Sequence, residues 1–332
     1  MGVVMKGLTS FAPSAATVAL FCLSAATAVP PAIAQDSSPA WAYLVNPPDF
    51  KAPPDDGTAR RVPDSTLSLT LTQVRDRFFT PDWHPGDHPP MPEIVARGRK
   101  PDVSACGFCH RTNGAGGPEN ANIAGLPVDY IIQQLADFKS GARKSSVQTR
   151  APTEVKARLA QHAIDGEIAA AAAYFAAIPT QSRVSIVETD IVPKSFVTGW
   201  HLAAVTTGEK EPIGQRIIEV PEDLEQFVSR DPRSRFVAYV PTGSIQKGQQ
   251  LATTGGNGKT VQCSLCHGPE LKGVGPIPGI AGRSPTYTVR QLYDFKHGAR
   301  AGSASQLMTQ SVGKLSIDDM IALAAYVASQ KP

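Results

Sequence analysis

One five-residue frame occurs twice in the chain and constrains its fold more than any other feature. The frame reads Cys-x-x-Cys-His, once at 106–110 and again at 263–267. Two thiols three positions apart can each form a thioether with one of the two vinyl groups of a porphyrin, and the adjacent histidine then lies beneath the iron. The sequence therefore predicts two covalently bound haem c groups. The predicted attachment sites are Cys106, Cys109, Cys263 and Cys266, and the predicted proximal iron ligands are His110 and His267.

Three other uses of paired cysteines explain less of the pattern. A zinc site with four cysteine ligands does not need a histidine directly after each pair. Local disulfides, which an oxidising compartment permits, also leave both histidines unexplained. A thioredoxin-like redox motif is expected near a βαβ pattern, which neither flank has. The fifth cysteine, Cys22, lies in a segment that we expect to be removed, and the bulky Phe21 before it disfavours a lipid anchor there.

Residues 1–34 have the pattern of a secretory signal peptide. Lys6 is the only charged residue among them, the stretch 15–29 is apolar or small, and Ala32-Ile33-Ala34 forms a cleavage site. An apolar run of about 15 residues is shorter than the ~20 that a spanning helix needs, and no later stretch is long enough. The sequence predicts a periplasmic protein that is cleaved after Ala34 and has no membrane span afterwards.

The two Cys-x-x-Cys-His frames belong to a longer internal repeat. They lie 157 residues apart, and identical residues recur at the same offset, without a gap, from Cys106 to Arg143. Such self-similarity indicates a duplicated unit. The matches are Ile123-Ala124-Gly125 with Ile280-Ala281-Gly282, Tyr130 with Tyr287, Gln134-Leu135 with Gln291-Leu292, Asp137-Phe138-Lys139 with Asp294-Phe295-Lys296, and Gly141-Ala142-Arg143 with Gly298-Ala299-Arg300.

Helical spacing of apolar residues predicts two helices in each unit. The predicted ranges are Tyr130–Lys139 and Glu167–Ala177 in the first unit, and Tyr287–Lys296 and Ile317–Ser329 in the second. Loops that contain glycine and proline, at 114–118 and 273–276, suit a chain that wraps closely around a flat ligand.

These motifs together resemble a class I cytochrome c domain, and their tandem arrangement resembles the cytochrome c4 group of dihaem electron carriers. The order is Cys-x-x-Cys-His, a Gly-Pro loop, Gln-Leu-x-x-Phe-Lys-x-Gly-Ala-Arg, a methionine and an Ala-Ala-Tyr helix, over 96–179 and 246–332. The resemblance implies a small helical bundle around each haem and a methionine sulfur as distal iron ligand. Met308 stands at that position in the second unit.

The remaining segments have no counterpart in this pattern. Residues 180–245 alternate β-rich runs with turns, which predicts a small antiparallel sheet that links the haem units. Residues 35–95 are rich in proline, so we expect an extended arm packed over the first haem unit. The predicted fold class is mainly α: two small helical cytochrome c domains, 96–179 and 246–332, joined by a β-rich linker and preceded by a proline-rich arm.

The first unit lacks the methionine that the resemblance implies. Counting from the haem histidine reaches Ala151, counting back from the closing helix reaches Lys156, and no methionine lies between Met91 and Met308. A neutral lysine at pH 7 costs about 4 to 5 kcal/mol before iron binding returns anything, whereas imidazole binds iron readily. The open choices are a five-coordinate iron or a sixth ligand from Met91, His162, Lys156, His84 or His88. We expect His201 and His297 at the surface.

The leading functional hypothesis is a periplasmic electron carrier without catalytic residues of its own. Six-coordinate iron between His267 and Met308 changes oxidation state without offering a site to a substrate. Its partners are then redox proteins: a dehydrogenase, an oxidase or a reductase. The alternatives are a dihaem peroxidase-like oxidoreductase with an open first haem and the cytochrome subunit of a dehydrogenase. A net charge of +3 without a basic, aromatic-interleaved stripe argues against nucleic acid as a partner.

Overall fold

A computed structural model of the chain describes residues 1–2 and 38–332. The predicted signal peptide, residues 1–34, lies outside the described residues except for its first two positions. Within the described ranges, no helix combines the length and the apolar character needed to cross a bilayer.

Six helices form the part of the chain around the first Cys-x-x-Cys-His frame. The residue that follows helix α4, Gly141, has a φ of +76°. Glycine adopts this left-handed conformation without steric strain because it has no Cβ. Apolar residues of α4, α5 and α6 bury a shared core that includes Ile131, Leu159 and Phe175. The helices are α1 Leu71–Arg75, α2 Glu93–Ala96, α3 Cys106–His110, α4 Val128–Ser140, α5 Ala151–His162 and α6 Asp165–Ala176, with a 3-10 turn at Pro85–Asp87.

The segment between the two helical units contains seven strands in three separate sheets, with one short helix. Strand β7 lies between β1, to which it is parallel, and β6, to which it is antiparallel, while β2 pairs with β5 and β3 with β4. The prediction of one antiparallel sheet is therefore wrong. A long crossover separates β1 from β7, and such a connection permits parallel pairing where a hairpin cannot. The elements are β1 Val184–Glu188, β2 Ile191–Pro193, β3 Ser195–Thr198, β4 His201–Ala204, β5 Lys210–Pro212, β6 Ile218–Pro221, α7 Leu224–Val228 and β7 Phe236–Val240.

The second unit is built on the crossing of its first and last helices. A Cβ at Gly248 would collide with the carbonyl oxygen of Ala322, so glycine is what lets α8 and α12 approach closely. In the first unit the helix directly before the frame, α2, is short, because prolines at 89, 90 and 92 prevent a longer helix. The elements are α8 Ser244–Thr254, α9 Ser264–His267, β8 Gly273–Val274, β9 Ile277–Pro278, α10 Pro285–Lys296, α11 Gln306–Val312 and α12 Ile317–Ser329, with a 3-10 turn at Ser303–Ser305.

The predicted helices agree with the observed ones, and the mainly helical character of the two units is confirmed. The segment 38–95 differs from the prediction of an arm over the first unit alone. Ala42 and Tyr43 pack in the core of the second unit, where the Tyr43 hydroxyl donates a hydrogen bond of 2.6 Å to the carboxylate of Asp294. Ile94 and Val95 instead join the core of the first unit.

The two units meet through residues that are equivalent in the repeat. The Lys144 amide donates to the Ala299 carbonyl at 2.7 Å, and the equivalent amide of Ala301 donates to Ala142 at 2.8 Å. These two backbone hydrogen bonds are related by exchange of the two units, as in a twofold interface.

The arginine side chains of the joint follow the same symmetry. Arg143 donates to Gln134 of its own unit at 2.6 Å and to Tyr287 and Gln291 of the other unit at 3.1 and 2.8 Å. Arg300 donates to Gln291 of its own unit at 3.1 Å and to Tyr130 and Gln134 at 2.8 Å each. The repeated Gly-Ala-Arg motif therefore joins the two units.

Candidate haem site

A cavity of about 480 Å³ runs past both Cys-x-x-Cys-His frames. Helix α3 presents the first frame and α9 the second, and each helix ends at its histidine. The structure thus brings together residues that are far apart in sequence. The frame residues that line the cavity are Cys106, His110, Cys263, Cys266 and His267.

The two histidines are held in the same way. Nδ1 of His110 donates to the Ala121 carbonyl at 2.9 Å, and Nδ1 of His267 donates to the Pro278 carbonyl at 2.8 Å. Because a carbonyl can only accept, Nδ1 carries the proton and Nε2 keeps its lone pair. Burial, together with the charge of Lys156, lowers the pKa of His110 to about 3, and burial also lowers the pKa of His267. In both rings Nε2 therefore keeps a lone pair that can bind a metal.

The four cysteines of the two frames are half-buried. All four are free thiols, and burial raises the pKa of Cys106 and of Cys263 to about 11. In the part of the chain that the structure describes, no three side chains of His, Cys, Asp or Glu lie close enough together to hold a metal ion.

The cavity wall between the frames is rich in buried positive charge. Five buried arginines line it against three carboxylates, and the Nε atoms of Arg150 and Arg300 are buried donors without a hydrogen-bond partner among the described residues. Buried donors of this kind favour an anionic ligand. Haem carries two propionate carboxylates, so the donor set fits it. The arginines are Arg143, Arg150, Arg283, Arg290 and Arg300, and the carboxylates are Glu119, Glu167 and Asp294.

Of the residues considered as distal ligands, two line the cavity. Met308 of α11 faces it in the second unit and Lys156 of α5 in the first. Lys156 Nζ lies 3.0 Å from His110 Nε2.

The structure places the other four possible ligands elsewhere. His84 is buried against Asp231 at 3.1 Å, and His88 contacts Asp82 at 3.0 Å. His162 is exposed at the end of α5, and Met91 packs against the hydrophobic core of the first unit. None of the four is among the described residues that line the cavity.

Sequence reasoning missed the residues that cover the first frame. The Arg230 guanidinium lies 3.6 Å from the centre of the Phe108 ring, and its Nη1 donates to the Phe108 carbonyl at 2.6 Å. Arg230 has a positive φ of 62°. Asp223 caps the start of the preceding helix, α7, and an aspartate before a helix can be recognised in a sequence. Nothing in the sequence indicates where that helix packs.

Of the two remaining histidines, one is exposed and the other is buried. His297 is exposed, as predicted. The prediction of a surface position for His201 is wrong: only 5% of the residue is exposed, and its ring packs edge-on against Phe227 at 4.6 Å. The tight β3–β4 hairpin turns it inward.

Comparisons with known proteins give consistent results. The family model for cytochrome c matches residues 245–331. Cytochrome c-554(548) of Halomonas halodenitrificans is 36% identical over 77 residues, which are 23% of this chain and 93% of that protein. The thiosulfate dehydrogenase electron acceptor of Thiomonas intermedia is 24% identical over 235 residues, 69% of this chain and 80% of that protein. Cytochrome c4 of Stutzerimonas stutzeri is 24% identical over 230 residues, 68% of this chain and 84% of that protein.

Proposed function

Because the chain belongs to the cytochrome c family, we propose that it binds two covalent haem c groups and carries electrons between redox partner proteins. The observation that carries this proposal is the equivalent setting of His110 and His267, each fixed by a carbonyl and each lining one shared cavity. When bound, haem supplies a one-electron change of oxidation state at its iron.

The residues of the chain have separate tasks in this proposal. Cys106, Cys109, Cys263 and Cys266 would hold the haems through thioether bonds, and His110, His267 and Met308 would bind iron. The Ala121 and Pro278 carbonyls fix the histidine rings, since a hydrogen bond to Nδ1 sets both tautomer and orientation. The unpartnered Nε donors of Arg150 and Arg300 bind propionate carboxylates.

A dehydrogenase is the class of partner that we favour. The relative from Thiomonas intermedia is named a thiosulfate dehydrogenase electron acceptor, and a second protein of that name, from Stutzerimonas stutzeri, is 25% identical over 235 residues. The surface for such a partner lies at the second frame, where 70% of Leu265 is exposed. The same observations favour a second form of this function, a cytochrome subunit held permanently by its dehydrogenase.

We also propose that the mature chain acts in the periplasm. Residues 1–34 have the charge, length and cleavage pattern of a secretory signal, and the mature chain then begins at Gln35.

Expression of the full chain in a host with a c-type maturation system tests these proposals together. The expected intact mass is that of a chain beginning at Gln35 with two added haems, and a potentiometric titration should show two one-electron steps. Copurification of a dehydrogenase that reduces the protein would support the partner. One haem per chain would overturn the dihaem proposal, and rapid turnover of hydrogen peroxide would replace the carrier with a peroxidase.

A further inference from the structure

The amine of Lys156 faces the histidine of the first frame. Its Nζ lies 3.0 Å from His110 Nε2, the nitrogen whose lone pair is left free by the bond from Nδ1 to Ala121. We propose that Lys156 is the sixth iron ligand of the first haem. This inference rests on the proposed function, because it needs a haem at the first frame.

Position in the fold supports the assignment. The closing helices begin at Asp165 and Ile317, 152 residues apart, and the same interval separates Lys156 from Met308. Both residues lie on the helix that precedes the closing helix, and both line the cavity. Lys156 therefore occupies in the first unit the place that Met308 occupies in the second.

The surroundings of Lys156 leave its amine directed at His110. In the part of the chain described by the structure, no carboxylate oxygen lies within 4 Å of Nζ, and the His110 ring is its hydrogen-bond partner. Glu167, which also lines the cavity, is bound instead by Arg99 at 2.7 Å. A salt-bridged lysine would instead lie beside a carboxylate.

His84 and His88, two other possible ligands, already form hydrogen bonds elsewhere in the fold. His84 is buried against Asp231, and His88 lies between Asp82 and the Tyr174 hydroxyl, at 3.0 Å from each. Using either of them would break these bonds inside the fold. Lys156 needs only to withdraw along its flexible four-carbon stem to admit a metal atom between Nζ and Nε2.

The binding step balances without a redox partner. With haem bound, Lys156 would hold the iron through the Nζ lone pair once the ammonium had released one proton to solvent, and no electron would be transferred. A nitrogen ligand in place of a methionine sulfur lowers the reduction potential of the iron. The first haem should therefore be the lower-potential one, and electrons should collect on the second.

Near-infrared magnetic circular dichroism of the ferric dihaem protein tests the ligand, since methionine-ligated ferric haem has a weak band there. The wild-type band should integrate to about one haem per chain, and Lys156→Met should raise it to about two. Lys156→Met should also raise one reduction potential and leave the other nearly unchanged. Lys156→Ala should make one haem high-spin and able to bind added cyanide. Lys139→Ala, an exposed lysine on α4, is the control and should change nothing.

Each contrary result has a distinct meaning. A wild-type band of two haems, or a first haem that is already high-spin, overturns the lysine ligand. An unchanged low-spin spectrum in Lys156→Ala also overturns the lysine ligand. Lys156→Met is expected to gain a near-infrared signal, so this variant tests the ligand even if the alanine variant folds poorly. A protein with two haems and an unchanged spectrum overturns this inference alone, whereas a haem count of one overturns it together with the proposed function.

Discussion

The two Cys-x-x-Cys-His frames have the same cysteines and histidine but differ in exposure. Phe108, inside the first frame, lies beneath the Arg230 guanidinium, whereas Leu265, its equivalent in the second frame, is 70% exposed. Other positions differ in the same way. Val261 and Val274 are exposed, while their equivalents at the 157-residue offset, Ser104 and Gly117, are buried.

The residues that cover the first frame come from outside the repeat. Residues 224–233, which we call the cap, contact both the first unit and the segment before it. Asn113 donates to the Pro232 carbonyl at 3.1 Å, and Trp83 Nε1 donates to the Ser229 carbonyl at 2.8 Å. The duplication thus repeats the Cys-x-x-Cys-His frame, and the added segments determine which copy is exposed to solvent.

Removing the central side chain of the cap should give the largest effect. Asp231 is 1% exposed and accepts hydrogen bonds from His84, Gln226 and the Arg233 amide at 3.1, 2.7 and 2.8 Å. Asp231→Ala should lower the free energy of unfolding by about 3 kcal/mol, because it leaves buried donors unpaired. Denaturant unfolding of the dihaem protein, followed by far-ultraviolet circular dichroism, measures this.

The control for the cap lies beside the second frame. Glu270 is exposed and pairs with Lys272 at 2.9 Å, so Glu270→Ala should change the free energy of unfolding by less than about 0.5 kcal/mol. Equal losses in the two variants would show that the cap does not hold the first frame more firmly than solvent-exposed loops hold the second.

A charge placed at the exposed frame should sharpen the functional side of the comparison. At low ionic strength, Leu265→Asp should slow oxidation of the reduced protein by ferricyanide about tenfold. Repulsion between the new charge and a trivalent anion about 8 Å away is about 1.5 kcal/mol in water. Ile132→Asp places the same charge on an exposed apolar site of the first unit and should have little effect. Stopped-flow kinetics would contradict the asymmetry if both variants slowed the reaction equally.

The elements that sequence could predict are those specified by local signals. Helix α12 spans Ile317–Ser329 as predicted, because Ser316 caps its start and its apolar spacing is regular. The parallel pairing of β1 with β7 could not be predicted, since it depends on where a crossover packs. The symmetric contacts between the two units could not be predicted either. The repeat shows that Arg143 and Arg300 are equivalent, but not that each binds the other unit.

The candidate site shows the same difference between what local sequence signals predict and what long-range contacts determine. Counting back from the closing helix gives Lys156 as the counterpart of Met308, whereas counting from the haem histidine gives Ala151. Lys156 and Met308 are the two considered distal ligands that line the cavity. The histidines of the proline-rich segment are chemically suitable iron ligands. In the structure, however, His84 forms a hydrogen bond with Asp231 of the cap. Contacts over more than 140 residues of sequence, such as His84 with Asp231, leave no local signal.

The smallest predicted difference concerns acid stability at the start of the two closing helices. Asp319 accepts a hydrogen bond from the Ser316 amide at 3.1 Å, and Glu167 accepts one from Ile164 at 3.0 Å, at equivalent positions. Burial opposes ionisation of Asp319, but hydrogen bonds from Lys247 and Lys259 prevail and lower its pKa. The hydrogen bond from Arg99 lowers the pKa of Glu167.

A carboxyl group whose pKa is lower in the folded than in the unfolded state stabilises the fold above its unfolded pKa, and this contribution is lost as the pH falls below that value. Wild-type protein should therefore lose stability below about pH 4, the ordinary range of these groups. Asp319→Asn should remove about 1 kcal/mol of this pH dependence, and Glu167→Gln less, because Asp319 is held by two lysines and Glu167 by one arginine. Unfolding free energies of the three proteins between pH 3 and about 7 measure the difference. A larger effect of Glu167→Gln would show that the first unit, not the second, depends more on its capping carboxylate.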